Sequence, residues 1–77
     1  METIYSKQAD NFLQTKDDKT FNRIKFAIDK LPNGDVRKMK GFTNKYRLRV
    51  GDIRIIFTVD NAICIEKIDN RGQVYKN

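Results

Sequence analysis

Three arginines that alternate with apolar residues mark the stretch of this chain whose chemistry is easiest to infer. Residues 46–57 read YRLRVGDIRIIF, the pattern of two half-buried strands joined by a tight turn. With Gly51 at the first turn position, Arg49 faces Arg54 across the hairpin. Arg47 then lies diagonal to Arg54. Like charges that face each other across a strand pair destabilise it by about 0.2–1 kcal/mol, so we infer that this face binds an anion.

The positive charge of the chain is concentrated in this hairpin and the segment before it. The 77 residues carry a net charge of +6, and residues 36–54 alone hold seven basic residues against one acid, so the rest of the chain is neutral. Outside the hairpin arginines, the basic residues of this stretch are Arg37, Lys38, Lys40 and Lys45. Such a local field suits a polyanion, nucleic acid first and an acidic protein second. A solvated basic surface is the plainer alternative.

The elements around the hairpin predict an α+β fold in one domain over residues 1–77. A short strand is expected at residues 3–5, and Ser6 is a suitable N-cap for a first helix. Apolar residues at helical spacing predict a second helix over residues 21–31, which Pro32 ends. We expect the two helices to form an antiparallel hairpin on a mainly antiparallel four-stranded sheet.

The sequence does not decide the structure of residues 35–45 or the facing of the last strand. Residues 35–45 have no clean period and are interpreted as a loop with at most an extended segment. In the last strand, residues 62–68, a two-residue turn would direct Cys64 and Glu66 to the core. A three-residue turn with a bulge would direct Ile63 and Ile65 there instead. Cys64 is expected to be a small core residue.

Composition excludes several classes of protein. The chain has no histidine and a single cysteine, so neither an internal disulfide nor a histidine acid–base pair is available. No Cys/His cluster or carboxylate pair has the spacing of metal ligands, and we expect no metal and no cofactor. No apolar run approaches the roughly 20 residues of a membrane span. A reducing cytoplasm is the expected location.

The order of the elements and two motifs resemble the RelE/ParE superfamily of toxin–antitoxin toxins, and the RelE branch most. The motifs are the YRLRVGDIRIIF hairpin and RGQVY at residues 71–75. The resemblance implies a barnase-like α+β fold and cleavage of mRNA in the ribosomal A site. It also implies neutralisation by a cognate antitoxin that wraps the toxin. Asp69 and Asn70 depart from the family, because some members carry a basic residue or a histidine there.

The resemblance further implies roles for single residues. The catalytic set carried over by position is Arg47, Arg49, Arg54, Arg71 and Tyr75. Arg49 and Arg54 are expected to clamp a phosphate, and Arg47 to align the RNA backbone. Arg71 is a second clamp or the donor to the leaving group, and Tyr75 is the general base or stacks on a nucleotide base. The residues expected to bind RNA around this set are Arg37, Lys38, Lys40 and Lys45.

Three functions are compatible with these residues. The first is a ribosome-dependent endoribonuclease in which the 2′-OH of the RNA attacks the neighbouring phosphorus and arginines stabilise the developing charge. The second is a ParE-like protein that inhibits DNA gyrase and cuts no RNA. The third is an inactive nucleic-acid-binding module with the same electrostatics. The arginine hairpin favours the nuclease, because a gyrase inhibitor has no evident need for it.

Overall fold

A computed structural model describes residues 1–70, in which two helices pack on a five-stranded sheet. The elements are β1 (Thr3–Tyr5), α1 (Lys7–Gln14), α2 (Asp18–Asp29), β2 (Asp35–Lys38), β3 (Lys45–Val50), β4 (Ile53–Val59) and β5 (Ile63–Asn70). Their order in the sheet is β1-β5-β4-β3-β2, with β1 parallel to β5 and every other pair antiparallel. The predicted α+β class is confirmed.

The sheet has one strand more than predicted, because β2 lies in the segment interpreted as a loop. β2 pairs only with β3, so it is an edge strand. Val36 alone of its four residues is partly buried. A short edge strand with one residue against the core lacks the alternation by which a strand is recognised in a sequence.

Side chains from outside each helix fix where it begins. The Ser6 hydroxyl accepts a hydrogen bond from the Ala9 amide (3.1 Å) and donates one to the Glu66 carbonyl (2.7 Å), so it joins α1 to β5. The Asp17 carboxylate accepts a hydrogen bond from the Thr20 amide at 3.2 Å. Hydrogen bonds from the side chain and the backbone of Thr20 lower the pKa of Asp17. Both helices thus start at the residue type that satisfies free amides of a first turn.

One apolar layer lies between the helices and the sheet. Its buried residues are Ala9, Leu13, Ile24, Ile28, Leu48, Ile53, Ile55, Phe57, Ile65 and Ile68. Within residues 1–70 no polar or charged residue is fully buried. Both helices therefore cover the same face of the sheet, and the strand residues of opposite parity are left on the other face.

The arginine hairpin has the predicted register. Gly51 has a φ of +58°, a conformation that favours glycine, and Val50 pairs with Ile53 across the turn. Arg49 pairs with Arg54, and both lie on the face away from the helices.

The turn before strand β5 has three residues, the second of the two predicted alternatives. A bulge within β5 then changes which of its side chains face the core. Val59 pairs with Ile63, so Ile65 is directed to the core beside Phe57. A bulge at Glu66 then shifts the register, and the next buried residue is Ile68. The prediction that Cys64 is a core residue is wrong, because this turn places its half-buried side chain on the arginine face.

Candidate nucleic-acid interface

The face of the sheet away from the helices carries a basic cleft. Its volume is about 570 Å³, and it crosses β2, β3, β4 and β5. Its lining residues are Arg37, Lys38, Met39, Lys40, Arg47, Arg54, Ile56 and Lys67. Six of the eight are basic and none is acidic, so the positive charges concentrate in one concave surface.

Arg47 lies in this cleft without an acidic Cα partner on either neighbouring strand. The Cα partners of Arg47 are Arg37 on β2 and Ile56 on β4, so no acid stands beside it in either ladder. Its Nε is buried and has no hydrogen-bond partner among residues 1–70. A buried donor without a partner is costly, so Arg47 does not stand here for the stability of the sheet.

Arg49 lies on the same face but borders a different groove. Its Nε is also buried without a partner among the described residues. It lines a groove of about 230 Å³ beside α2, together with Arg23 and Lys30, and it does not line the basic cleft. The cleft therefore contains Arg47 and Arg54, while Arg49, the Cα partner of Arg54, lies outside it and remains a predicted contact to phosphate.

Arg54 is held by a carboxylate on the neighbouring strand. Its Nε lies 3.3 Å from Oδ1 of Asp69, and its Nη2 lies 3.2 Å from Oδ2. The Lys67 ammonium is 3.8 Å from the same Oδ2. The two strands place Arg54 and Asp69 as Cα partners, and the bulge at Glu66 is what turns Asp69 to this face. Sequence reasoning noted Asp69 as unusual but missed this contact and missed Lys67, because no sequence signal announces the bulge.

Lys45 is engaged elsewhere. Its ammonium pairs with Glu66 at 3.0 Å and lies 4.5 Å from the centre of the Phe42 ring, and it does not line the cleft. The other three residues predicted to bind RNA, Arg37, Lys38 and Lys40, all line the cleft.

Two predicted catalytic residues, Arg71 and Tyr75, lie outside the described residues. Over residues 1–70 no three carboxylate or thiol side chains come together as a metal site. Neither described helix has the length and apolar character of a membrane span. The described part of the site thus offers binding and charge stabilisation through guanidinium groups.

Fold and cleft together define a class: a small α+β domain whose sheet is covered by helices on one face and presents basic residues on the other. No protein-family model matches the chain. It is 34% identical over 62 residues to toxin RelE3 of Methanocaldococcus jannaschii, a match that covers 69% of this chain and 70% of the relative. The chain therefore belongs to the RelE toxin family.

A second relative and a solved structure agree with this assignment. The chain is 39% identical over 46 residues to RelE1 of Methanocaldococcus jannaschii. This match covers 56% of this chain and 51% of the relative, so the chain spans about half the relative's length. It also resembles a chain of the RelB–RelE antitoxin–toxin complex from Methanococcus jannaschii, with a TM-score of 0.77, 26% identity and 94% coverage of both chains.

Proposed function

We propose that this chain is the toxin of a toxin–antitoxin system and that it cuts mRNA in the A site of the ribosome. Membership of the RelE toxin family supports the first part. The observation that carries the second is the cleft in which Arg47 and Arg54 stand among four further basic residues, with the Arg47 Nε lacking a partner among residues 1–70. Ribosomes and messages place this activity in the cytoplasm.

The chemistry needs no group beyond RNA and protein. The 2′-oxygen attacks the adjacent phosphorus, the bond from phosphorus to the 5′-oxygen breaks, and the proton lost from the 2′-OH is balanced by one delivered to the 5′-oxygen. Arg47 and Arg54 would donate to the non-bridging oxygens, where negative charge grows. Guanidinium forks match that geometry, and each positioned donor contributes about 10²–10³ in rate.

The chain offers fewer side chains for proton transfer than for charge stabilisation. The chain has no histidine. Of the two roles predicted for each residue, we assign the proton-transfer role: Tyr75 as base rather than as a stacking residue, and Arg71 as donor to the leaving oxygen rather than as a second clamp. An ordinary tyrosine titrates near 10, so its use as a base requires neighbouring positive charges that favour its ionised form. A catalyst with such weak acid–base groups gains most from a partner that aligns the RNA, and the ribosome can supply that alignment.

The proposed antitoxin is an acidic segment that covers the cleft. Six cations line this concave surface, and the half-buried Ile56 and Met39 add apolar contact at its floor and rim. The similar structure is described as an antitoxin–toxin complex. An antitoxin bound here would neutralise the cations and exclude RNA at the same time.

The test is primer extension on a defined mRNA, with the purified protein added to free message and to message on stalled ribosomes. We expect strong cleavage only on ribosomes. Arg47→Ala and Arg54→Ala should each reduce the rate by about 10²–10³. Lys7→Ala is the matched control, because it removes an exposed positive charge at the start of α1, on the helix layer.

Each alternative predicts a different result in these assays. Equal cleavage of free and ribosome-bound mRNA would contradict the ribosome requirement. Inhibition of gyrase supercoiling without any cleavage would favour the ParE-like alternative. Salt-dependent RNA binding with a log–log slope of roughly −0.7 per phosphate contact, without cleavage, would indicate a binding module.

A further inference from the structure

We propose that Asp69 is a positioning residue, which acts from outside the basic cleft to orient Arg54 toward the scissile phosphate. The inference deepens the proposed function and depends on it for the identity of the anion. Asp69 is also one of the two positions at which this chain departs from the family pattern.

The contacts show which edge of the Arg54 guanidinium Asp69 occupies. Nε and Nη2 of Arg54 point to the two carboxylate oxygens, at 3.3 and 3.2 Å. A guanidinium has five N–H groups, and this arrangement uses one on each of those two nitrogens. The opposite edge, with Nη1 and the second N–H of Nη2, is left for a phosphate.

The lining of the cleft distinguishes orientation from blockage. Arg54 and Lys67 both line the cleft, whereas Asp69, which contacts both, does not. A carboxylate that blocked the site would itself line the cleft and take the place of the phosphate. Asp69 instead contacts the two cations without lining the cleft, and its side chain is only 20% exposed.

The charges around Arg54 explain why orientation is required. Arg49 is its Cα partner on β3, and Lys67 stands on β5, so Arg54 has positive neighbours on both sides. Without Asp69 these cations would repel one another, and the long Arg54 side chain would sample several rotamers. Asp69 lowers the total positive charge, which weakens general RNA attraction, but fixes the guanidinium that acts on the phosphate.

This balance predicts opposite effects on binding and on rate. Asp69→Asn and Asp69→Ala remove the same negative charge. The asparagine side chain keeps one oxygen that can accept a hydrogen bond from Arg54, and the alanine side chain keeps none. Both should bind a short single-stranded RNA as tightly as wild type or more tightly at low salt. Cleavage of ribosome-bound mRNA at saturating protein should fall about tenfold in the Asn variant and about a hundredfold in the Ala variant, since misplaced groups lose rates of that order.

Two controls separate positioning from charge and from folding. Asp29→Asn removes an equal charge from the exposed end of α2, and it should leave both rate and binding unchanged. In an Arg54→Ala background, Asp69→Ala should cause no further loss, because a residue that acts only through Arg54 has nothing left to orient. Circular dichroism and thermal unfolding establish that each variant is folded.

Direct observation of the guanidinium decides the inference even if the wild type cuts nothing. In ¹⁵N NMR, the Arg54 Nε–H signal should be sharp in the wild type and broadened or lost in Asp69→Ala, and inorganic phosphate should shift it in the wild type. Lack of cleavage by a wild type with that sharp signal would overturn the proposed function alone. Three results would overturn the positioning role. They are an Arg54 signal that is unchanged in Asp69→Ala, cleavage rates of the Asp69 variants equal to that of the wild type, and a loss of cleavage rate that is the same in the Asn and Ala variants.

Discussion

Replacing Arg47 by methionine is expected to stabilise the fold while it removes RNA cleavage. Methionine keeps an unbranched stem of similar length, so the buried aliphatic part of the side chain is largely retained. What is lost is a guanidinium whose Nε is buried without a partner among residues 1–70, and whose Cα partner on β2 is another arginine, Arg37. The variant thus isolates the energetic effect of a cation kept for binding.

The magnitude follows from two contributions. A buried donor without a partner destabilises by about 1–3 kcal/mol, and like charges opposed across strands by about 0.2–1 kcal/mol. After imperfect repacking we expect a net gain of about 1–2 kcal/mol. In a domain of this size each kcal/mol raises Tm by about 4–8 °C. The structure therefore predicts a visible upward shift in thermal unfolding.

The assay is urea and thermal unfolding of the wild type, Arg47→Met and Arg37→Met. Arg37 is exposed and is the Cα partner of Arg47, so its replacement removes the same repulsion without removing a buried donor. Arg37→Met should change stability by less than about 0.5 kcal/mol. A gain in Arg47→Met no larger than that of Arg37→Met, at an unchanged denaturant slope, would refute the reasoning.

Three further predictions concern the turn, the facing of β5 and a helix cap. Gly51→Ala should lower the free energy of unfolding by about 1–2 kcal/mol in urea titrations, because φ is +58° and the added Cβ would lie 2.5 Å from Nη2 of Arg23; an unchanged midpoint would contradict the turn geometry. Ile65→Ala should destabilise by about 2–5 kcal/mol and Cys64→Ala by under about 1 kcal/mol, and the reverse order would mean that β5 faces the other way. Asp17→Ala removes the cap of α2 and should lower Tm above pH about 4. The difference in Tm between wild type and variant should shrink as the pH falls through the lowered pKa of Asp17, because this carboxyl group stabilises the fold only while it is ionised. A difference in Tm that does not depend on pH would argue against the ionised cap.

The basic cleft was only partly predictable. Arg47 and Arg54 were identified from their spacing, because alternation within a hairpin fixes which side chains share a face. The basic residues 37, 38 and 40 were identified from the concentration of positive charge before the hairpin. Lys45 was grouped with them, yet it pairs with Glu66. Lys67 was missed, since its place in the cleft depends on the register of β5.

The sequence by itself determined the parts that local rules govern. Helical spacing and the cap at Ser6 defined α1, helical spacing defined α2 without its Asp17 cap, and a glycine turn with alternating residues defined the β3–β4 hairpin and its arginine face. These features depend on residues within a few positions of one another.

Only the tertiary structure decided how the strands that are distant in sequence meet the hairpin. Pairing with β3 makes residues 35–38 an edge strand, and pairing with β4 forces a bulge at Glu66 so that both Ile65 and Ile68 reach the core. That one extra residue turns Asp69 toward Arg54. Because side chains alternate with a period of two, a single-residue shift sends every following side chain to the opposite face, and no local pattern in the sequence announces it.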